Sequence, residues 1–285
     1  MLGCVILNYN DYQTTIELIE LIKNYTVFDS IIVVDGASTN DSYDRLKKYN
    51  SDKITVIKAD KNGGYGYGNN IGIRKCKELG MDHVLIANPD VVFTEKTISH
   101  TLDTLKATEN CIAVSPRMKD REPAMRILSP WVDVWASFIF VNAILKPRNY
   151  PKQFYLGKSI ARVDALPGSL VLFDLNKLFL CGLYDETVFL YHEEYIMGVK
   201  FKAKGFDSYV MLDDEYIHNH SVTVSKVFRN PVTSRKIVLK SHKTYLQKYL
   251  HASSGVMILY YILYPLKCME SFIWGTMKWI MRRNR

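Results

Sequence analysis

Residues 30–41 read SIIVVDGASTND, an aliphatic run that ends in an acid, a glycine and small polar side chains. Such a run is typical of a buried strand, and the polar stretch after it is typical of a turn into a helix. Taken alone, Asp35 and Ser38 are explained more simply as turn and helix-capping residues than as functional groups. The stretch predicts a strand, a turn and a helix, with polar groups where the strand ends.

The same pattern recurs on both sides of this stretch. From residue 1 to about 115, short apolar runs predict strands at Leu2–Leu7, Ser30–Val34, Ile54–Lys58, His83–Ala87 and Cys111–Ser115. Amphipathic segments between them predict helices near Tyr12–Asn24, Asp41–Tyr49, Tyr67–Leu79 and Glu95–Ala107. This alternation predicts a parallel sheet covered by helices on both faces. Ligands of such sheets bind beyond the carboxyl ends of the strands, so the residues there are the functional candidates.

The composition limits the classes of protein. The 285 residues are 48% hydrophobic and 23% charged, which excludes a disordered chain and fits a packed globular protein. The formal net charge of +8 favours anionic partners without choosing among nucleic acid, acidic lipid and phosphorylated substrates. A nucleic-acid-binding protein is not expected, because the aromatic residues do not interleave with the basic ones in a stacking pattern. Five dispersed cysteines without a Cys-x-x-Cys pair indicate reduced thiols in a cytosolic protein.

Polar or glycine-rich motifs follow the first, third and fourth predicted strands as well. Asn8-Tyr9-Asn10 follows the first strand. Residues 62–72 read NGGYGYGNNIG, in which five glycines allow a close approach to a ligand and the following helix offers its amino terminus to a phosphate. Asn88-Pro89-Asp90 follows the fourth strand, and a carboxylate there can bind a divalent cation. Taken alone, that motif is more simply a proline turn that caps a helix.

Two later segments carry titratable groups. Glu193 and Glu194 follow the strand-like aromatic run at 189–191 and begin a predicted helix that ends near Gly205. Adjacent carboxylates raise each other's pKa, which suits a general base, although acids at a helix start are often only a favourable dipole interaction. His218-Asn219-His220 could supply a metal ligand, although such a pair is more often a surface feature.

The C-terminal segment predicts an amphipathic helix. Val256–Tyr264 is apolar but too short to span a bilayer, and Pro265 follows it. Beyond it, polar and basic residues share one helical face with a tryptophan, and apolar residues lie opposite: Lys267, Ser271, Trp274, Lys278 and Arg282 against Met269, Phe272, Ile273, Met277 and Ile280. We expect this helix at the interface of an anionic membrane. The alternatives are packing on the protein's own core or on a second subunit, and a re-entrant hairpin at Pro265.

In their order from Asn8 to His220, with Pro167-Gly168-Ser169 between them, these motifs resemble those of the inverting glycosyltransferases of family two. The closest resemblance is to the rhamnosyltransferase-like branch of bacterial polysaccharide assembly. It implies a GT-A (Rossmann-like) α/β fold, with a mixed, mostly parallel sheet flanked by helices and a C-terminal helical, membrane-associating extension. It also implies a metal-dependent, inverting hexosyltransferase, with rhamnose as one candidate sugar. The donor would be a dTDP- or UDP-sugar, the acceptor a lipid-linked or polysaccharide hydroxyl, and the cofactor Mn²⁺ or Mg²⁺.

The resemblance also assigns residues. Those implied to bind the nucleotide-sugar are Asn8, Asn10, Asp35, Ser38, Asn62, Gly63, Asn70, Asn88, Asp90, Gly168 and Ser169. Among these, Asp35 would read the base, and Gly168 and Ser169 would line the sugar and acceptor cleft. Asp90 would hold the metal, with His218 as the first choice of histidine and His220 as the second. Glu194 would be the general base and Glu193 its alternative, although the family more often has Asp at this position.

The implied domains are a GT-A catalytic domain at 1–230 and basic, amphipathic helices at 231–285. The catalytic domain divides into a nucleotide-binding half at 1–115 and an acceptor and metal half at 116–230. The expected location is cytoplasmic and peripheral, on the inner face of a bacterial cell membrane, and homo-oligomers are left open. The alternatives are a nucleotidyltransferase and a non-catalytic membrane scaffold with a transferase-like fold.

Overall fold

The computed structural model describes residues 1–219 and 231–283. The strands within them are β1 Leu2–Asn8, β2 Ser30–Asp35, β3 Ile54–Lys58, β4 His83–Ala87, β5 Val91–Val92, β6 Cys111–Met118, β7 Ile160–Val163, β8 Leu170–Asp174 and β9 Asp207–His218. The helices are α1 Tyr12–Ile22, α2 Ser42–Leu46, α3 Tyr65–Glu78, α4 Glu95–Ala107, α5 Pro130–Ala136, α6 Ile139–Leu145, α7 Leu175–Leu180, α8 Glu193–Ala203, α9 Pro231–Thr244 and α10 Ser254–Arg283. All strands and helices predicted for the first 115 residues are therefore present.

The sheet is mixed. Its strand order is β3-β2-β1-β4-β8-β6-β9-β5, with β7 paired to β9. Strands β3, β2, β1 and β4 are parallel, whereas β8 runs antiparallel between β4 and β6. The inserted strand β8 brings the loop before it, which contains Gly168 and Ser169, to the same edge as the end of β4.

Two apolar clusters cover the two faces of the sheet, because alternate residues of each strand point to opposite sides. One cluster joins the sheet to α1, α2 and α4, and the other joins it to α3, α7 and α8. In β1, Cys4 and Ile6 belong to the first cluster and Val5 to the second. Helices therefore flank both faces, as the alternating pattern predicts.

The C-terminal helices pack on α5 and α6 through a smaller apolar cluster that includes Val134, Leu246, Val256 and Tyr260. Helix α10 continues through Pro265, so the hairpin alternative is wrong. Lys267 and Ser271, on the face predicted to be polar, are both buried, so this part of the helix packs on the protein's own core. The Lys267 ammonium lies 5.3 Å from the Phe138 ring centre and 5.0 Å from that of Tyr260.

A buried polar network lies where these helices meet α8. The Asp133 carboxylate accepts hydrogen bonds from Arg148 at 2.8 Å and from His242 at 2.7 Å. The His242 ring stacks on that of His192, with 5.0 Å between ring centres, and His192 directly precedes α8. Burial alone would raise the pKa of Asp133, but the hydrogen bond from His242 and the charge of Arg148 lower it to about 2. The network thus fixes the position at which α8 begins.

We expect Asp133→Asn to lower the free energy of unfolding by about 3–5 kcal/mol, because the buried Arg148 loses its counter-charge. The Asp133 contribution is complete above its ordinary pKa of 3.8 and is lost as the pH falls through about 2. The difference in the free energy of unfolding between wild type and variant should therefore decrease as the pH is lowered from 3.8 to about 2. Urea titrations at a series of pH values measure it. The exposed Asp103→Asn on α4 is the control, with an expected change within about 0.5 kcal/mol. Equal losses for the two variants would contradict a special role for Asp133.

Candidate active site

The carboxyl ends of β1 and β2 bring four predicted residues together. Asn8 and Asp35 are neighbours across the parallel pair, and the Asn8 amide donates to the Asp35 carboxylate at 2.8 Å. The backbone amide and the hydroxyl of Ser38 donate to the two oxygens of Asp35 at 2.9 and 2.7 Å. The backbone amide of Asn10 donates to the Ser38 hydroxyl at 2.9 Å. Thr15, which sequence reasoning missed, donates to the Asn8 side-chain oxygen at 2.9 Å.

The glycine-rich loop lies beside this group and begins α3. Gly64 has a φ of 90°, and an added Cβ there would overlap the carbonyl oxygen of Phe189. The backbone amide of Gly64 donates to the Asn62 side chain at 3.2 Å. An added Cβ at Gly63 would overlap the Tyr67 ring, so this turn also has no room for a side chain there.

Asn70, on α3, has a structural role. Its buried side-chain amide donates to the Tyr184 carbonyl at 3.0 Å and to Glu186 at 2.8 Å, and its oxygen accepts from the Tyr184 amide at 3.1 Å. Both polar atoms of this side chain are thus bonded within the protein. Asn70 therefore holds the helix of the glycine-rich loop against residues 184–186.

The Asn88-Pro89-Asp90 motif leads from β4 into the two-residue strand β5. The Asp90 carboxylate and the His218 Nε2 atom lie 3.0 Å apart, and both side chains are mostly buried. The pairing of Val91 with His218 across β5 and β9 places them side by side. His220, the second choice of histidine, lies outside the described residues.

Gly168 and Ser169 lie between the Asp90 motif and the carboxylate pair. The Asn88 backbone amide donates to the Ser169 carbonyl at 2.8 Å. The Ser169 hydroxyl is buried and lies 2.6 Å from the Tyr216 hydroxyl, so it points into the protein. An added Cβ at Gly168 would lie 3.3 Å from the Glu194 carboxylate. Gly168 is therefore the backbone position against which Glu194 packs.

The chain reaches Glu193 and Glu194 through two consecutive left-handed residues, Tyr191 with φ 72° and His192 with φ 73°. The strand-like run predicted at 189–191 is thus not a strand. Glu193 points inward and is 5% exposed, and its Oε1 atom has no hydrogen-bond partner among the described residues. Glu194 is half-buried. Both carboxylates line a cavity of about 20 Å³, room for about one water molecule, together with Tyr65 and Gly168.

The two carboxylates differ in their electrostatic surroundings. Burial raises the pKa of Glu193 well above its ordinary value, and the charge of Glu194 adds to the effect. Burial also raises the pKa of Glu194, but hydrogen bonds from its own backbone amide and from that of Gly168 oppose the rise. We infer that Glu193 keeps its proton and that Glu194 ionises first. A base with a moderately raised pKa is suited to accept a proton near neutral pH.

Tyr216 and Tyr65 connect the two sides of the site, and sequence reasoning missed both. The Tyr216 hydroxyl lies 2.6 Å from that of Ser169, and burial raises its pKa, with the charges of Glu194 and Asp90 adding to the rise. The Tyr65 hydroxyl donates to the Gly168 carbonyl at 2.6 Å. Only the position of Tyr65 inside the glycine-rich run could have drawn attention to it. Asp90 and Glu194 therefore lie at the same edge of the sheet.

The Asp90 and His218 pair offers a carboxylate oxygen and an imidazole nitrogen, which are donors that Mn²⁺ and Mg²⁺ accept to different degrees. In the part of the chain that the structure describes, no group of three or more His, Cys, Asp or Glu side chains is arranged to hold a metal ion. A cation held by this pair would keep open positions for ligands from a substrate. The pair fits a metal that binds together with a diphosphate.

Residues 4–163 match the sequence model of glycosyl transferase family 2. The chain belongs to glycosyltransferase family 2. The match includes Asn8, Asp35 and Asp90 but ends before Gly168 and Glu194. The positions of the later residues in this family 2 chain therefore rest on the geometry described above.

The low-salt glycan biosynthesis hexosyltransferase Agl10 of Haloferax volcanii is similar to this family 2 chain. It is 29% identical over 195 residues, which make up 68% of this chain and 59% of the relative. The chain thus spans less than two thirds of that relative's length.

Solved structures share the fold at low sequence identity. GalNAc-T7 with UDP, GalNAc and Mn²⁺ matches with a TM-score of 0.61 and 15% identity, over 76% of this chain and 43% of the other. The mannosyltransferase PcManGT of Pyrobaculum calidifontis with GDP-Man and Mn²⁺ matches with a TM-score of 0.58 and 14% identity, over 95% and 73%. TarS 1–349 of S. aureus matches with a TM-score of 0.52 and 14% identity, over 84% and 64%. These likenesses support the predicted GT-A fold.

We expect Gly64→Ala to destabilise the protein by about 3 kcal/mol or more, because the residue needs a positive φ and the new methyl group would overlap the Phe189 carbonyl. Gly80→Ala is a matched control, since Gly80 also has a positive φ, 76°, but no atom lies within 4 Å of its added Cβ. The control should cost about 1–2 kcal/mol. Thermal unfolding compares the two, and equal losses would mean that the loop does not need its contact with residue 189.

Proposed function

We propose that the chain is an inverting glycosyltransferase that moves a sugar from a nucleoside diphosphate to an acceptor hydroxyl. The observation that carries the proposal is the position of Asp90 and Glu194 at one sheet edge, on the two sides of Gly168 and Ser169. Membership of family 2 supports the reaction class. This displacement requires one acid that binds a cation beside the diphosphate and a second acid that accepts the proton of the acceptor hydroxyl.

The donor would lie along the edge formed by the ends of β1, β2 and β4. Asp35, Asn8 and Ser38 form a bonded polar group there, in which Asn8 and Asp35 are fully buried. We propose that this group shapes the turn after β2 on which the nucleoside would rest. The related structures with UDP or GDP-Man and Mn²⁺ support a nucleotide-sugar donor and a divalent cation. We propose a dTDP- or UDP-sugar, with rhamnose as one candidate, and note that the Haloferax relative is named a hexosyltransferase.

Asp90 and His218 would hold Mn²⁺ or Mg²⁺, which when bound neutralises the negative charge that develops on the diphosphate. Glu194 accepts the proton of the acceptor hydroxyl as that oxygen attacks the anomeric carbon. The bond from this carbon to the diphosphate breaks, and the diphosphate leaves from the opposite face, which inverts the configuration. Gly168 and Tyr65 hold Glu194 in place, since one packs against the carboxylate and the other fixes the Gly168 carbonyl.

The finer assignments extend this proposal. A lipid-linked glycan is the acceptor we propose, and the cytoplasmic face of a bacterial cell membrane is the location.

A nucleotidyltransferase would release pyrophosphate, whereas the proposed reaction releases a nucleoside diphosphate. A non-catalytic scaffold would neither transfer nor hydrolyse any donor. Product analysis over a panel of nucleotide-sugars with Mn²⁺ separates the three.

We expect Glu194→Gln to keep donor binding and to reduce turnover by about a hundredfold or more, because the amide cannot accept the proton. Burial raises the pKa of Glu194, so the rate of the wild type should fall as the pH drops through a value above the ordinary range of glutamate. The variant should lack this limb of the pH profile.

Glu193→Gln is the matched neighbour, because a neutral amide resembles the protonated carboxyl that burial favours there. Its loss of turnover should be within about tenfold. A larger loss for Glu193→Gln than for Glu194→Gln would move the base to Glu193. Full turnover of both variants would contradict the proposed mechanism.

A further inference from the structure

The outward face of helix α10 is apolar along most of its length, whereas the inward face of its second half carries polar side chains. Lys267, Glu270 and Ser271 are among its buried residues. Its exposed large side chains form an apolar stripe, at steps of three and four residues along the helix: Ile258, Tyr261, Ile262, Leu266, Met269, Phe272, Ile273 and Met277. A soluble surface helix normally has the opposite arrangement. The outward surface of α10 is therefore suited to an apolar environment.

The inner face fixes this orientation. The two oxygens of Glu270 accept hydrogen bonds of 2.8 Å from the backbone amides of Ile139 and Phe140, at the start of α6. Buried Lys267 lies between two aromatic rings, as described above. Any rotation of α10 that turned its apolar stripe towards the core would break these contacts. The outward stripe is thus held in place by packing and hydrogen bonds.

Helices α5 and α6 add further exposed apolar groups next to α10. The Phe140 and Trp274 rings meet edge to face, with 5.5 Å between ring centres. The exposed side chains of these two short helices include Trp131, Val132, Trp135, Ile144 and Leu145. Exposed apolar side chains in this number on neighbouring helices are typical of an interaction site.

A row of lysines on α9 borders the apolar stripe. Lys236, Lys240 and Lys243 are spaced for one side of α9, and the Lys243 ammonium lies 5.3 Å from the ring centre of Tyr261 in the stripe. Helix α9 contains no acid, and the only acid of α10 is the buried Glu270. The surface therefore combines apolar side chains with positive charge and lacks acidic side chains on these two helices.

We propose that the apolar stripe and the lysine row bind the surface of an anionic lipid bilayer. Apolar side chains would enter the region between headgroups and acyl chains, and the lysines would meet the lipid phosphates. The stretch Ser254–Met277 is long and apolar enough to cross a bilayer, but 39% of its most apolar window is buried inside the protein. The helix therefore lies along the membrane surface with its inner face still packed on α5 and α6.

A second copy of the chain is the other occupant to consider. A two-fold contact through the stripe would place two identical lysine rows along one interface, and like charges there oppose association. An anionic bilayer neutralises the same lysines. The charge next to the stripe therefore favours lipid.

The surface is connected to the candidate base. The Tyr260 hydroxyl of α10 donates to the Leu239 carbonyl of α9 at 2.6 Å, and Ser241 of α9 donates to the Leu190 carbonyl, just before the carboxylate pair, at 2.7 Å. Membrane binding would thus place the site close to lipid-linked acceptors. The binding itself does not depend on the proposed glycosyl transfer.

The test is flotation of the full chain with vesicles, in the absence of donor and acceptor. We expect it to float with phosphatidylglycerol vesicles at low salt, to be released at high salt and to float poorly with phosphatidylcholine alone. Lys236→Gln with Lys240→Gln should lower partitioning into anionic vesicles by roughly thirtyfold. Leu266→Glu with Phe272→Glu should lower it by more than about tenfold.

Leu79→Glu with Leu180→Glu is the matched control, since both leucines are exposed and lie away from α5, α6, α9 and α10, one directly after α3 and the other at the end of α7. It should leave partitioning unchanged, and circular dichroism should give the same fold for all variants. A chain that stays in the aqueous fraction with anionic vesicles at low salt would overturn the proposal. So would a lipid-free dimer that Leu266→Glu with Phe272→Glu converts to a monomer. Either result would leave the glycosyl transfer proposal untouched.

Discussion

The backbone hydrogen bond from Asn88 to Ser169 joins the two halves of the candidate active site. It forms because β8 is inserted antiparallel beside β4, so that the end of one strand meets the beginning of the other. Asp90 comes two residues after Asn88 on one side of this hydrogen bond. Gly168 directly precedes Ser169 on the other side and packs against Glu194. Without that strand insertion, two acids about a hundred positions apart would have no reason to share one edge of the sheet.

Burial then gives chemically identical side chains different roles. Burial raises the pKa of Glu193 well above its ordinary value, and the charge of Glu194 adds to the effect, whereas hydrogen bonds from backbone amides oppose the rise at Glu194. Asp133 is as buried as Glu193 but remains charged, because Arg148 and His242 bond to it. In each case burial raises the pKa of the carboxylate, and the charges and hydrogen bonds around it decide how far the rise is offset.

The first 115 residues could be predicted closely because their information is local. The aliphatic runs bounded by Asn8 and Asp35 define parallel strands, and their polar ends must meet at one edge. The later strands β7, β8 and β9 could not be placed from periodicity, since their pairing depends on long-range contacts. For the same reason the inward position of Lys267 was missed: helical spacing gives the faces of α10, but only its contacts with α6 decide which face is buried.

The most direct test of the account is a crystal of the full chain grown with Mn²⁺ and UDP, with anomalous diffraction collected at the manganese edge. The account predicts one strong peak within coordination distance of Asp90 and His218, with the Glu194 carboxylate facing the open space beyond the diphosphate. A manganese peak elsewhere, or a Glu194 side chain walled off from the nucleotide, would contradict it.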